Sequence, residues 1–551
     1  MATIKRIIPP RILKSGVVEY HSVTSPPDDS IAMCHKVPDR IIPVIFVPGV
    51  MGSNLQSIAT RTSKSEPVWV VNSTQRVLAD WGLRDAKKRK SLLDPNKTEL
   101  YRTGDLPSGA APRSVFHTHP TPTQKEIDDE LLRRGWGEVS HLSYGPWLKW
   151  LEESLNDADY TKTGLEYASS GLRPRLMKEL VAHVPGIEPL TFDEVGLSYR
   201  YQFPVHAVGY NWLQSNADSA KRLQAKIDEF IRYYDKTYTC KNVILVTHSM
   251  GGLVARHYSE VLNQRDKVLG VVHGVMPTTG AATAYKRVKS GVEGSAGIVV
   301  GDDAAEVTAV FAQAPGPLQL LPSAEYGNGW LKIRDGEQRI SLPQGNDPYD
   351  EIYTVRGKWW GLIDDKLINP LDEQKTKPTL DKDWDAFGKL IDEKVKPFHQ
   401  DIANRFHPIT YAFYGDDKAH SAWGDVTWER KLSHAARMLG TAAPIDDVKS
   451  GRVLQDHGQG EQLLLQQSGG TAMPTGFKLT EANENGDGTV PVRSGRALQG
   501  KVRVCVGYQG VDHEGAYKHE AQRLFTLWSI VKIAQHVKPP LRYEIDGECP
   551  R

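Results

Sequence analysis

The chain is poor in cysteine, has no surplus of either charge and carries no long apolar run, and each shortage closes off a class of protein. Four cysteines, Cys34, Cys240, Cys505 and Cys549, are scattered over 551 residues without a C-x-x-C pair, so neither a disulfide scaffold nor a thiolate metal site is expected. Cys240 and Cys505 abut or lie within apolar runs and read as small buried hydrophobes. Lys and Arg number 68 against 67 Asp and Glu, a formal charge of +1, which provides no single-sign field to hold nucleic acid. No apolar stretch approaches the ~20 residues that span a bilayer. The opening residues, "MATIKRIIPPRILKSG", break their only apolar run with Lys5, Arg6, Pro9 and Pro10 and so lack a signal-peptide core. The expectation is a chain made in the cytoplasm without a cleaved leader, whose export, if it occurs, takes a leaderless route. Neither an internal repeat of fixed period nor a low-complexity tract interrupts the sequence.

What the chain does have is length enough for a large domain with insertions, or for several domains. Short β-branched runs, each followed by turn residues, recur at 43–49 "PVIFVPG", 203–210 "FPVHAVGY", 242–248 "NVILVTH", 268–274 "VLGVVHG", 408–415 "PITYAFYG" and 502–508 "VRVCVGY". Most are apolar at consecutive positions, as strands buried on both faces require. Between them, Ala220, Leu223, Ile227, Phe230 and Ile231 share one helical face, and so do Leu253, Val254, His257, Tyr258 and Val261. The alternation predicts an α/β fold, a doubly wound and mainly parallel sheet with crossover helices. Its core is assigned to 41–56, 198–288, 405–420 and 480–535. Residues 57–197 and 289–404 read as insertions that cap the carboxyl edge, 421–479 as a connecting excursion and 1–40 as an N-terminal extension.

The most informative stretch is "VILVTHSMGGLVARHYSEVL", residues 243–262. An apolar strand runs straight into Ser249, and Gly251 and Gly252 open a helix with almost no loop between. This is the pattern of a strand–nucleophile–helix elbow, in which a strained serine projects its hydroxyl from the sheet edge, with Thr247 standing where the motif's first glycine would be. A serine hydroxyl needs a base, and the base an orienting acid, in the chain order serine, acid, histidine. Asp487, in "ENGDGTVPVRSG", and His513, in "GYQGVDHEGAYKHE", meet that order. Asp416 and Asp417 are the competing acids. His519 is expected within the next helix, and His248 is expected to point away into the core. The oxyanion hole is expected from the amide of Met250 and a second amide, Val50 or Met51, in "VPGVMGSNL". Such chemistry needs no metal and no organic cofactor.

Taken together, "VIFVPGVMGSNL", "THSMGGLVAR", "GDGTVPVRS" and the histidine of "DHEGAYKH" resemble the α/β-hydrolase superfamily, in particular its lipase and acyltransferase branch related to lecithin–cholesterol acyltransferase and the GPI-inositol deacylases. The resemblance covers the core strands and misses both insertions. It implies a serine esterase with Ser249 as nucleophile, Asp487 as acid, His513 as base and Val50, Met51 and Met250 around the oxyanion. The leaderless layout with a large cap also resembles bacterial lipase effectors delivered by type VI secretion. That likeness implies a cognate immunity protein and a destination in a target-cell periplasm. For the substrate, Trp330, Trp359, Trp360 and Trp384, with Leu362, Ile363 and Leu390, suit an acyl chain or a membrane interface, or else form the cap's own core. Leu320 and Leu321, in "PLQLLPSAEYG", line an acyl pocket or pack beneath it. A glycerophospholipid or neutral-lipid ester is the expected substrate. An amidase, an acyltransferase and a non-enzymatic binding protein of the same fold are the alternatives.

Overall fold

The computed structural model describes residues 5–8, 10–12, 18–20, 31–34, 38–73, 81–112, 122–157, 171–293, 297, 300–432, 438 and 443–537. Strands β1 (Val44–Val47), β2 (Val205–Ala207), β3 (Val243–His248), β4 (Val268–Gly274), β5 (Thr410–Gly415) and β6 (Val504–Tyr508) form one sheet in the order β6-β5-β4-β3-β1-β2. All of its neighbouring pairs are parallel. Successive residues of each strand enter opposite layers, which is why the runs are apolar at every position. Val44, Phe46, Ile244, Val246, Val272 and Phe413 share one core with helices α1 (His141–Leu155) and α4 (Glu520–Ala534). Ile45, Val47, Leu245, Val271 and Ala412 share the other with α2 (Asn216–Tyr234) and α3 (Gly251–Arg256). This is the doubly wound α/β architecture that the sequence predicts. Helix α2 starts where the Ser215 hydroxyl accepts the Ala217 N–H, and it buries Ala220, Leu223, Ile227 and Phe230 as its periodicity requires.

The first insertion differs from the cap expected of it. Helix α1 lies along one face of the sheet, and its Trp147, Leu148, Leu151 and Leu155 pack into the same core as Phe46. Leu176, Leu180, Leu190 and Val195 join them. Amphipathic spacing reveals that a helix has a face to bury without saying against what, so a core layer read as a lid.

The division between 289–404 and 421–479 also differs. Strands Leu331–Asp335, Gln338–Leu342, Val426–Lys431, Arg452–Asp456, Glu461–Ser468 and Thr471–Leu479 build a second six-stranded sheet, so the two segments form one body. Ile333 pairs in parallel with Trp428 across a stretch of chain that includes β5, a long-range pairing that no local pattern announces. Helix Ala282–Ser290, which follows β4, fastens this body to the main sheet. Tyr285 enters its core and donates to the Trp360 carbonyl at 2.6 Å, while Arg287 reaches the Gly488 carbonyl and the Thr489 hydroxyl.

Cys240 is buried and Cys505 half-buried, whereas Cys549 lies outside the described residues. Among the described residues no helix is long and apolar enough to cross a membrane.

Candidate active site

Strand β3 ends at His248 and α3 begins at Gly251, which leaves two residues to reverse the chain. Ser249 takes φ +51°, a left-handed conformation that costs a non-glycine residue roughly 1–2 kcal/mol. Its N–H donates to the Gly274 carbonyl at 2.9 Å, which fixes the turn against β4. A Cβ at Gly251 would collide with the carbonyls of Val47 and Pro48, so the turn closes only over glycine. Thr247, in the place of the motif's first glycine, turns its hydroxyl to His273 Nδ1 at 2.8 Å and its carbonyl to the Tyr517 hydroxyl at 2.8 Å. The extra side chain is therefore absorbed between β3 and β4, away from Ser249.

The three side chains nominated from chain order meet at this elbow. Ser249 Oγ lies 2.8 Å from His513 Nε2, and His513 Nδ1 lies 2.8 Å from Asp487 Oδ2. An ionised carboxylate only accepts, so Nδ1 carries the ring proton and Nε2 is left to accept from the serine hydroxyl. Asp487 Oδ1 is occupied by the N–H groups of Thr489 and Val490 at 3.0 and 2.7 Å, which aims Oδ2 at the histidine. Gly415, the last residue of β5, makes room: a Cβ there would stand 2.7 Å from Asp487 Cβ. Ser249 is 3 % and Asp487 2 % exposed, so water hardly competes for these bonds.

The competing residues are engaged elsewhere. Asp416 accepts from the Asn485 amide at 2.9 Å. Asp417 binds the His420 ring and the N–H groups of Ala419 and Gly510. His519 sits at the N-terminus of α4 and pairs with Asp512 at 3.0 Å.

Beside the serine, Gly49 to Gly52 form a tight turn closed by a 3.1 Å bond from the Gly52 N–H to the Gly49 carbonyl, with Met51 at φ +63°. Trp69 Nε1 donates to the Met51 carbonyl at 2.8 Å and holds the turn. The amides of Val50, Met51 and Met250 donate to no other group among the described residues. Such free N–H groups, two of them on a turn and one at the mouth of a helix, suit a developing negative charge.

Two residues that sequence reasoning misjudged or missed lie against this machinery. His248 is not turned into inert core: its Nδ1 is 2.9 Å from the Tyr144 hydroxyl and its Nε2 2.7 Å from the His513 carbonyl. Adjacent elbow residues do diverge, but the direction open to His248 leads under the histidine loop. Burial pushes its pKa down to about 3. Tyr144, on α1, also accepts the Gly49 N–H at 3.3 Å. The one signal for either in the sequence is a histidine at the end of an elbow strand whose first four residues are aliphatic.

The residues expected at the acyl pocket divide. Trp359 and Trp360 are buried in the second body's own core, Trp359 against Trp428 and Phe477, and do not face the elbow. Trp330 is buried there too, and Trp384 packs against the same core. Leu321 belongs to that core, whereas Leu320 packs in the cluster that holds Met250, Val50 and Met51.

The family model for lecithin:cholesterol acyltransferase matches residues 193–352, a span that includes Ser249 and stops short of Asp487 and His513. The crystal structure of the Tle4–Tli4 complex holds a chain that is 29% identical and superposes with a TM-score of 0.70, over 90% of this chain and 98% of that one. The chain has the α/β-hydrolase fold and is an enzyme of the esterase and lipase type. No curated protein sequence matches the hydrolase. The structural likeness extends over 90% of this chain, whereas the family match takes in only β2 to β4 and the opening strands of the second body.

Proposed function

We propose that the chain hydrolyses carboxylic esters of lipids, glycerophospholipids or neutral glycerides, by two-step acyl transfer through Ser249. The observation that carries this reading is the unbroken path from Ser249 Oγ through His513 to Asp487, 2.8 Å at each link, on a serine held at φ +51°. His513 Nε2 takes the hydroxyl proton as Oγ bonds to the ester carbonyl carbon, and the carbonyl electrons become an oxyanion facing the amides of Met250 and of Val50 or Met51. Collapse expels the alcohol, which leaves with the proton from His513. Water, deprotonated by the same imidazole, then releases the fatty acid and restores the serine. Asp487 fixes the tautomer and stabilises the imidazolium. Each oxyanion donor is worth ~10²–10³ in rate where such donors have been tested. No step needs a metal or an organic cofactor.

The match to lecithin:cholesterol acyltransferase supports a lipid ester as the substrate. The layout shared with type VI lipase effectors, and the likeness to a protein solved together with Tli4, support delivery into a target cell. There the enzyme attacks envelope lipid from the periplasm, and in the producing cell a cognate immunity protein holds it inactive.

An activity panel of phospholipids, triacylglycerols and p-nitrophenyl esters tests the reading, with Ser249→Ala as control. Fatty acid release by the native chain and a loss of at least ~10³-fold in the variant are expected. Equal hydrolysis by both refutes the nucleophile. Faster cleavage of amides than of esters makes the enzyme an amidase, and acyl transfer to an added alcohol without free acid makes it an acyltransferase. Co-purification of an inhibitor from the producing cell tests the partner.

A further inference from the structure

We propose that Tyr144 and His248 are positioning residues that hold the catalytic imidazole and the oxyanion turn in register through one directed chain of hydrogen bonds. The proposal rests on Ser249 and His513 acting as described above. The direction of the chain follows from its donors. The Gly49 N–H can only donate, and it donates to the Tyr144 oxygen at 3.3 Å. At the other end the His513 carbonyl only accepts, so the one proton of the neutral ring is on Nε2 and His248 Nδ1 accepts the phenol's proton at 2.9 Å. Nε2 donates to the His513 carbonyl at 2.7 Å. Three separate segments are thereby joined: the turn that carries the Val50 and Met51 amides, helix α1 of the first insertion, and the loop that carries the base.

The packing leaves these groups no slack. Tyr144 is 3 % and His248 4 % exposed, and a Cβ at Gly49 would stand 2.8 Å from His248 Nδ1. Burial keeps His248 neutral and raises the Tyr144 phenol, so the direction of the chain does not reverse at working pH. Both backbone polar groups of His513 are tied, the N–H to the Asp487 carbonyl at 2.9 Å and the carbonyl to His248. The acid thus holds one side of the base and His248 the other. Without the His248 donor the His513 carbonyl loses its protein partner, and the loop turns to find another. A displacement of about 1 Å at a reacting group costs ~10²-fold in rate.

The test uses the full chain and p-nitrophenyl butyrate, with Tyr144→Phe, His248→Leu and His248→Gln. Tyr144→Phe should lower kcat about 10-fold and His248→Leu about 100-fold, with KM within about threefold of the native value. Glutamine can place an amide N–H near the ring Nε2, and His248→Gln should recover at least about tenfold of the loss seen with leucine. The second body supplies a matched control: Tyr349 bonds His399 Nδ1 at 2.8 Å, and His399 Nε2 bonds the Gln319 carbonyl at 2.9 Å. Tyr349→Phe should lower the melting temperature about as much as Tyr144→Phe and leave kcat within about threefold. In hydrogen–deuterium exchange, residues 509–519 should exchange faster in Tyr144→Phe and His248→Leu than in the native chain. That arm needs no turnover, so it decides the proposal even if the native chain cleaves none of the esters tried. Unchanged exchange over these residues in both variants overturns it, and so does kcat near native in Tyr144→Phe or equal damage from leucine and glutamine at 248.

Discussion

Asp487 and His513 are tied twice, by the carboxylate Oδ2 to the ring Nδ1 at 2.8 Å and by the Asp487 carbonyl to the His513 N–H at 2.9 Å. The backbone tie sets the distance and the carboxylate sets the tautomer, so the two functions can be separated by mutation. In Asp487→Asn the amide oxygen stays with the Thr489 and Val490 N–H groups, and the amide nitrogen faces Nδ1. The ring proton then moves to Nε2, where it cannot accept from Ser249. A fall in kcat of ~10³–10⁴ is expected, with the melting temperature changed by only a few degrees. Asp416→Asn and Asp417→Asn should stay within about threefold of native activity, since neither carboxylate touches His513. A larger loss from either identifies a different acid.

The strained serine predicts a trade of stability for activity. Glycine tolerates φ +51° without the steric cost that Ser249 bears. Ser249→Gly and Ser249→Ala both remove the nucleophile and its bond to His513. Glycine should nonetheless be the more stable of the two by about 1 kcal/mol, because alanine keeps the strained Cβ. Thermal melts of the two inactive variants compare them directly. An alanine variant equal to or more stable than the glycine variant would mean that the elbow is relaxed.

The two glycines after the serine look alike in sequence and should not behave alike. A Cβ at Gly251 meets the backbone carbonyls of Val47 and Pro48, which belong to the first core strand and the turn beyond it and cannot yield. A Cβ at Gly252 meets the Met276 thioether and the His273 ring, of which the methionine can move. Gly251→Ala should therefore yield little soluble protein, while Gly252→Ala folds with a loss of about 1–3 kcal/mol. Comparable soluble yield and stability for the two variants would contradict this assignment of the contacts.

How far the sequence discloses this molecule depends on whether the signal is local. The elbow is legible because strand, serine, glycines and helix lie within twenty consecutive letters. Asp487 and His513 are reachable because chain order restricts the choice, and because each sits in a glycine-bearing turn. The second sheet stays hidden, since Ile333 finds Trp428 only after β5 has been placed in the other sheet. The same blindness misplaces Trp359 and Trp360: an aromatic pair in a polar stretch announces burial, and only the pairing partners reveal that the burial is in the second body's core. His248 and Tyr144 escape because one hydrogen bond across tertiary structure has no periodicity to detect.

Acid should unfold this protein in a window set by its buried histidines. His248 and His273 are pushed down to about 3, and His399 to about 4, in each case chiefly by burial. Each ring is already engaged, with Tyr144 and the His513 carbonyl, with Thr247, and with Tyr349 and the Gln319 carbonyl. The unfolded chain takes up these protons near pH 6.5, while the folded chain refuses them until about 3 to 4. Between those limits the unfolded state binds more protons, so unfolding free energy rises with pH. The stabilisation is complete above about pH 7 and drains away as pH falls through 6 and 5, by up to ~1.4 kcal/mol per pH unit for each histidine. Melting temperatures at pH 7.5, 6.5 and 5.5 should fall with increasing steepness, ahead of the range in which carboxylates titrate. A melting temperature that holds level from 7.5 to 5.5 would mean that these imidazoles charge freely in the folded chain, and the neutral His248 on which the hydrogen-bond chain depends would go with it.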